Sequence, residues 1–162
     1  FYRKLSLGVI ALYTTLVYCI GTASIKNLCN FAVYVWSIAN VPNNTVSCLE
    51  PLNGHFNEMY RTNPNGGGIS LKISTKPDDI NITQFEYTVS ADNPDVYYDI
   101  SNIDGYPFQN WGFTLSSSSP SCSSIFCSPG LRDCPYVFNQ PNDTFAVKSC
   151  NVLTNLTLTL CP

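Results

Sequence analysis

The segment YYDISNIDGYPF, residues 97–108, sets Asp99 and Asp104 five positions apart around a turn, with Tyr97, Tyr98 and Tyr106 close by. Glu86 precedes them in FEYTVS, and Lys72 lies in GGGISLKIS. Carboxyl groups beside tyrosine rings suit two kinds of chemistry. They accept hydrogen bonds from sugar hydroxyls while the rings stack on sugar faces, or they divide the acid and base roles of glycoside hydrolysis. Hydrolysis needs two carboxyls, one of them protonated, about 5 to 5.5 Å apart for retention or about 6.5 to 9.5 Å for inversion. Glu86 as acid, with Asp99 or Asp104 as base or nucleophile, meets that inventory. A third role needs no ligand, because an aspartate beside a turn accepts backbone N–H groups and shapes the loop. Asp78, Asp79, Glu86, Asp92, Asp95, Asp99 and Asp104 also share a stretch without Lys or Arg, a bias that a plain solvated acidic face would produce.

Other motifs carry less. NGGGIS lacks the Lys-Ser/Thr of a phosphate loop and precedes a strand pattern, so it reads as a tight turn. His55 is the only histidine and reads as a surface loop residue. The serines of residues 116–124 have no neighbouring base for nucleophilic catalysis. With no CxxC pair and one distant histidine, neither a metal nor a cofactor is expected.

The elements that must position these side chains are strands. ISLKIST alternates Ile69, Leu71 and Ile73 against Ser70, Lys72 and Ser74. FEYTVS sets Phe85, Tyr87 and Val89 against Glu86, Thr88 and Ser90, and NLTLTLC sets Leu156, Leu158 and Leu160 against Asn155, Thr157 and Thr159. WGFTLS is expected to bury Trp111, Phe113 and Leu115, while FAVYVWSI, apolar on both faces, is expected to be buried on both sides. Turn-rich joints such as RTNPNGGG, KPDD and ADNPD separate these runs, and no stretch beyond residue 24 patterns as a helix of three turns. The fold expected is an all-β antiparallel sandwich, with parallel pairing excluded for want of crossover helices.

Residues 1–23 read as a secretory signal peptide whose start lies upstream of Phe1. Arg3 and Lys4 precede the apolar run 5–20 and the small residues Gly21, Thr22 and Ala23, with cleavage expected after Ala23. A retained membrane anchor is the alternative, against which the run is short of the ~20 residues that a spanning helix needs. Residues 24–162 then form one domain, expected to be soluble and free of the membrane once the signal is removed. Of eight basic residues, six remain there against 11 acidic ones, which disfavours nucleic acid and anionic membranes as partners. Of the eight cysteines, Cys19 falls in the leader, and the other seven sit in a chain whose export favours pairing. Sequons at Asn43, Asn81, Asn142 and Asn155 agree with export and glycosylation.

IKNLCNFAVYVWSIA, GGGISLKIS, FEYTVSADNPDVYYDISNIDGYPF and CPYVFNQPNDTFAVKSCNVLTNLTLTLCP resemble, in that order, the signature blocks of thaumatin-like proteins. The short form is similar to the fungal antigenic thaumatin-like, or yeast-phase-specific, proteins. The resemblance implies a thaumatin-type β-sandwich, core domain only, since SPGLRD alone separates Cys127 from Cys134 where longer members carry a second loop domain. It implies the pairs Cys29–Cys161, Cys122–Cys150 and Cys127–Cys134, leaving Cys48 as a free thiol or an intermolecular bridge. It also implies a groove in which Lys72 stands where plant members have arginine and Glu86, Asp99 and Asp104 match carboxylates. Tyr136 stands where the family has aspartate, and Tyr106 supplies a further ring. With one wall missing, the role implied is a non-catalytic one: an extracellular or cell-wall protein binding cell-wall β-glucan or acting at the host interface. The alternatives are a weak endo-β-1,3-glucanase using Glu86, Asp99 and Asp104, or an antigen or effector that binds a host protein.

Overall fold

A computed structural model describes residues 20–39 and 45–162. The leader up to residue 19 and the Asn43 sequon lie outside the described residues. Those described form eleven strands and no helix: β1 (Thr22–Asn27), β2 (Val33–Ile38), β3 (Ser47–Leu49), β4 (His55–Met59), β5 (Ile69–Ser74), β6 (Thr83–Val89), β7 (Asp95–Ser101), β8 (Phe113–Ser117), β9 (Ile125–Cys127), β10 (Lys148–Asn151) and β11 (Leu156–Leu160). One sheet runs β4-β1-β11-β8-β9 and the other β10-β7-β6-β5-β2-β3.

Period-two alternation turns one side of each strand inward. Ile69, Leu71 and Ile73 of β5, Phe85 and Tyr87 of β6, and Val96, Tyr98 and Ile100 of β7 line one inner face. Ile25, Phe113, Leu115, Leu156, Leu158 and Leu160 line the other. Burying each such side chain contributes about 1.5–3 kcal/mol relative to leaving it in water. Tyr98 therefore belongs to this core and not to a sugar-stacking surface; its hydroxyl donates to the Ser123 carbonyl at 2.6 Å.

Several expectations change. The run at β2 buries only Val33, Val35 and Ser37, because a two-layer sandwich covers one face of each sheet; Tyr34, Trp36 and Ile38 point away from the core and stay partly exposed. Trp111 precedes β8, is 40% exposed and packs edge-on against Phe31 at 4.8 Å between ring centroids. His55 opens β4 and is exposed, as expected, but it is not in a loop. The first and last strands, β1 and β11, pair in parallel, while every other strand pair is antiparallel. The rule against parallel pairing without a crossover helix fails here because all the intervening strands serve as the crossover.

Cys29–Cys161, Cys122–Cys150 and Cys127–Cys134 are bonded, and Cys48 is an exposed free thiol on β3. The Cys29–Cys161 bond fastens the chain just beyond β1 to the chain just beyond β11, beside the Leu28 N–H to Leu160 carbonyl bond of 3.1 Å. The cleavage position expected after Ala23 falls inside β1, where Ala23 is wholly buried and paired on both sides, with Glu58 and with Leu156.

Candidate functional site

The site is built on the outward face of the six-stranded sheet. Strand register sets Glu86 of β6 opposite Asp99 of β7 and opposite Ser70 of β5. One rung pair away, Lys72 of β5 lies between Trp36 of β2 and Gln84 of β6. Directly opposed residues carry Cβ atoms about 4.5–5.5 Å apart and point to the same side, so Glu86 and Asp99 stand shoulder to shoulder. Two depressions open on this face. One, of about 340 Å³, is lined by Ile38, Ser70, Glu86, Thr88 and Asp99; the other, of about 300 Å³, by Trp36, Ile38, Lys72, Asp79 and Ile82. Ile38 lines both, which makes them one trough.

Burial dominates the electrostatics. It pushes the Asp99 carboxyl up to about 7, the Glu86 charge adds to the rise, and Lys148 pulls the other way. One Asp99 oxygen, Oδ1, is buried without a hydrogen-bond partner. Burial also raises Glu86; Ser70 and the Lys72 charge oppose that rise, and the Asp104 charge adds to it. The Glu86 charge thus favours the protonated form of Asp99, as one carboxylate does for another beside it. Register and the two depressions bring Lys72, Glu86 and Asp99 onto one face, while Asp104 lines neither depression and reaches Glu86 only through its charge.

Asp104 is held by backbone geometry. Its carbonyl accepts the Ile82 N–H at 3.1 Å, and Thr83 Oγ1 donates to Asn102 Oδ1 at 2.8 Å, zipping the β5–β6 loop to the turn after β7. Gly105 completes that turn at a φ of 133°, where a side chain would run into Asn81 and Ile82. Turn shaping and charge display therefore coexist at Asp104, whose side chain is exposed.

The two tyrosines expected in the groove lie elsewhere. Tyr106 packs edge-on against Phe113 at 5.8 Å, with its hydroxyl buried. Tyr136 is exposed in the turn that leads to Phe138, and Phe138 bridges to Ser101 at the end of β7. Neither lines the trough. The aromatic that does is Trp36, hidden in the sequence by an apolar run; Ser37, placed inward, was the sign that this run alternates. Ser70, outward and polar in the sequence pattern, lies opposite Glu86 and lines the first depression.

A further carboxylate escaped notice. Glu58 of β4 accepts the Tyr87 hydroxyl at 2.6 Å and the Ser37 hydroxyl at 2.7 Å, and it lies 3.7 Å from Arg61. It ties the edge of one sheet to the inner face of the other, away from the trough. Among the described residues no group of three or more His, Cys, Asp or Glu side chains is placed to hold a metal ion. The sequon residues Asn81, Asn142 and Asn155 are exposed, and Asn155 Oδ1 accepts both the N–H and the hydroxyl of Thr22 at 3.1 Å.

Comparison with known proteins bears on this geometry. Residues 10–162 match the family described as Blastomyces yeast-phase-specific protein. The chain is 45% identical over 142 residues to an antigenic thaumatin-like protein of Arthroderma benhamiae, covering 88% of this chain and 71% of that one. It is 33% identical over 143 residues to the secreted thaumatin-like protein calA of Emericella nidulans, covering 86% and 80%. Among solved structures, the protein elicitor MoHrip2 of Magnaporthe oryzae superposes with a TM-score of 0.73 at 25% identity, over 88% of this chain and 99% of that one. A thaumatin-like xylanase inhibitor shares the fold at a TM-score of 0.55 and 16% identity, over 86% and 99%.

Proposed function

The chain belongs to the Blastomyces yeast-phase-specific family of small fungal thaumatin-like proteins, and from that premise we propose that it is an extracellular carbohydrate-binding protein. Its trough takes a neutral cell-wall glycan, β-glucan first, and does not cleave it. The observation that carries this reading is the Glu86–Asp99 pair, set on an open sheet face beside Ser70, Lys72 and Trp36. Carboxyls accept sugar hydroxyls, and an indole offers an apolar surface to a sugar ring. Hydrolysis asks for more, since in both stereochemical courses the two carboxyls flank the scissile bond. Here both rise from one wall and reach a ligand from the same side. Export is supported by the three disulfides and by the relative named as secreted.

Incubating the purified protein with insoluble β-1,3-glucan, and separately with a soluble β-1,3-glucan, tests this reading. Retention on the insoluble polymer without release of reducing sugar is the expected result, and a combined Glu86→Gln, Asp99→Asn change abolishes retention. Sugar release that disappears in Glu86→Gln replaces this reading with a glucanase. The likeness to a protein elicitor favours one second reading, contact with a host protein; binding to host extract without retention on glucan is its signature.

A further inference from the structure

We propose that Trp36 is the stacking platform of a second sugar subsite, continuous with the carboxyl pair, and that it makes the trough select for chain length. This rests on the glycan reading above. Trp36 faces outward because its neighbours Val35 and Ser37 are the buried residues of β2. Its register partner is Lys72, whose own partner on the other side is Gln84, so an indole, an ammonium and an amide follow one another across the sheet. The depression there holds about 300 Å³ and is lined by Trp36, Ile38, Lys72, Asp79 and Ile82.

That arrangement matches a pyranose ring. The ring presents C–H groups on its faces and hydroxyls around its rim, so an indole and two isoleucines meet the faces while an ammonium and a carboxylate meet the rim. One charge of each sign gives no preference for a charged sugar, and the adjoining Glu86–Asp99 pair repels uronates and phosphates. Ile38 belongs to both depressions, so a ligand that fills one is led into the other. A single sugar unit occupies half of the trough, and a chain occupies all of it.

The chain contains two tryptophans, and the other, Trp111, packs edge-on against Phe31 outside the trough. A Trp111→Phe background therefore leaves Trp36 as the sole indole reporter. Titration with β-1,3-linked glucose oligomers of increasing length, followed by Trp emission and by calorimetry, is expected to give an emission change that saturates with the calorimetric affinity. Affinity is expected to rise until the oligomer spans both depressions. Trp36→Ala weakens the longer oligomers by about tenfold or more and flattens the length dependence, while Trp36→Phe restores part of it. Binding with unchanged Trp36 emission overturns the inference and leaves the glycan reading standing, as does full affinity in a folded Trp36→Ala protein. Absence of binding to any oligomer and to insoluble glucan overturns both. Should Trp36→Ala fail to fold, the emission of the Trp111→Phe protein decides.

Discussion

Replacing Asp99 by asparagine keeps the side-chain shape and removes its ionisation. Burial, with the Glu86 charge behind it, pushes the Asp99 carboxyl of the folded protein up to about 7, against an ordinary value of 3.8. Between those two pH values the folded state holds a proton that the unfolded chain has released. Stability must then fall as pH rises, by about 1.4 kcal/mol per unit. The contribution is full below about pH 4 and lost by the time pH has passed through about 7. The ceiling over that window is about 4 kcal/mol, and water in the open trough brings the expectation to about 2–4 kcal/mol. Asparagine does not ionise, so Asp99→Asn is expected to exceed the parent in stability by that amount at pH 8 and to match it near pH 4. Glu86, raised in the same direction, stays in both proteins and largely cancels in the difference. Urea unfolding at intervals from pH 4 to 8, with the disulfides intact, measures it. A parent whose stability runs parallel to the variant across the window, or a variant less stable at pH 8, refutes the account of a carboxyl held up by burial and by Glu86.

Three other outcomes are expected. Mass measurement of the secreted protein finds Gly21, Thr22 and Ala23 retained, because the Gly21 N–H and carbonyl bond Val152 and Tyr60 at 2.8 and 3.0 Å and Thr22 holds Asn155. A mature chain that begins at Ser24 contradicts this. Glu58→Ala leaves the Tyr87 and Ser37 hydroxyls and Arg61 without their shared partner and costs about 2–4 kcal/mol by denaturant titration, whereas Glu58→Gln costs less. Replacing Cys29 and Cys161 together by serine releases a link between residues 132 apart and lowers stability by about 5 kcal/mol by the chain-entropy relation, with a thermal midpoint to match.

The inner faces of β5, β6 and β11 were legible because Ile69-Leu71-Ile73, Phe85-Tyr87 and Leu156-Leu158-Leu160 alternate with polar residues. A period of two is a local property and survives in any fold that covers one face. The outward position of Trp36 was not legible, since Tyr34, Trp36 and Ile38 are as apolar as the Val33 and Val35 beside them. Nor was the place of Tyr98 and Tyr106, for a tyrosine ring gains by burial in any fold that offers it a packing partner, and that partner is set by tertiary structure. Lys72, Glu86 and Asp99 are legible as outward residues of strands and Asp104 as a turn residue, and strand register is what sets Glu86 beside Asp99 and Lys72 one rung pair away. The boundary after Ala23 rests on the basic residues, the apolar run and the small residues that follow it. Gly21 is small for a second reason, since a Cβ there would run into the Thr154 carbonyl.

β1 lies between β4, which follows it within the first part of the chain, and β11, the final strand. During synthesis, then, the central seam of that sheet stays open until β11 has emerged. A chain that cannot close early stays unfolded, and so able to pass a narrow pore, until that late strand arrives. Such non-local assembly is also slow, which gives oxidising enzymes time to act before the seam is sealed.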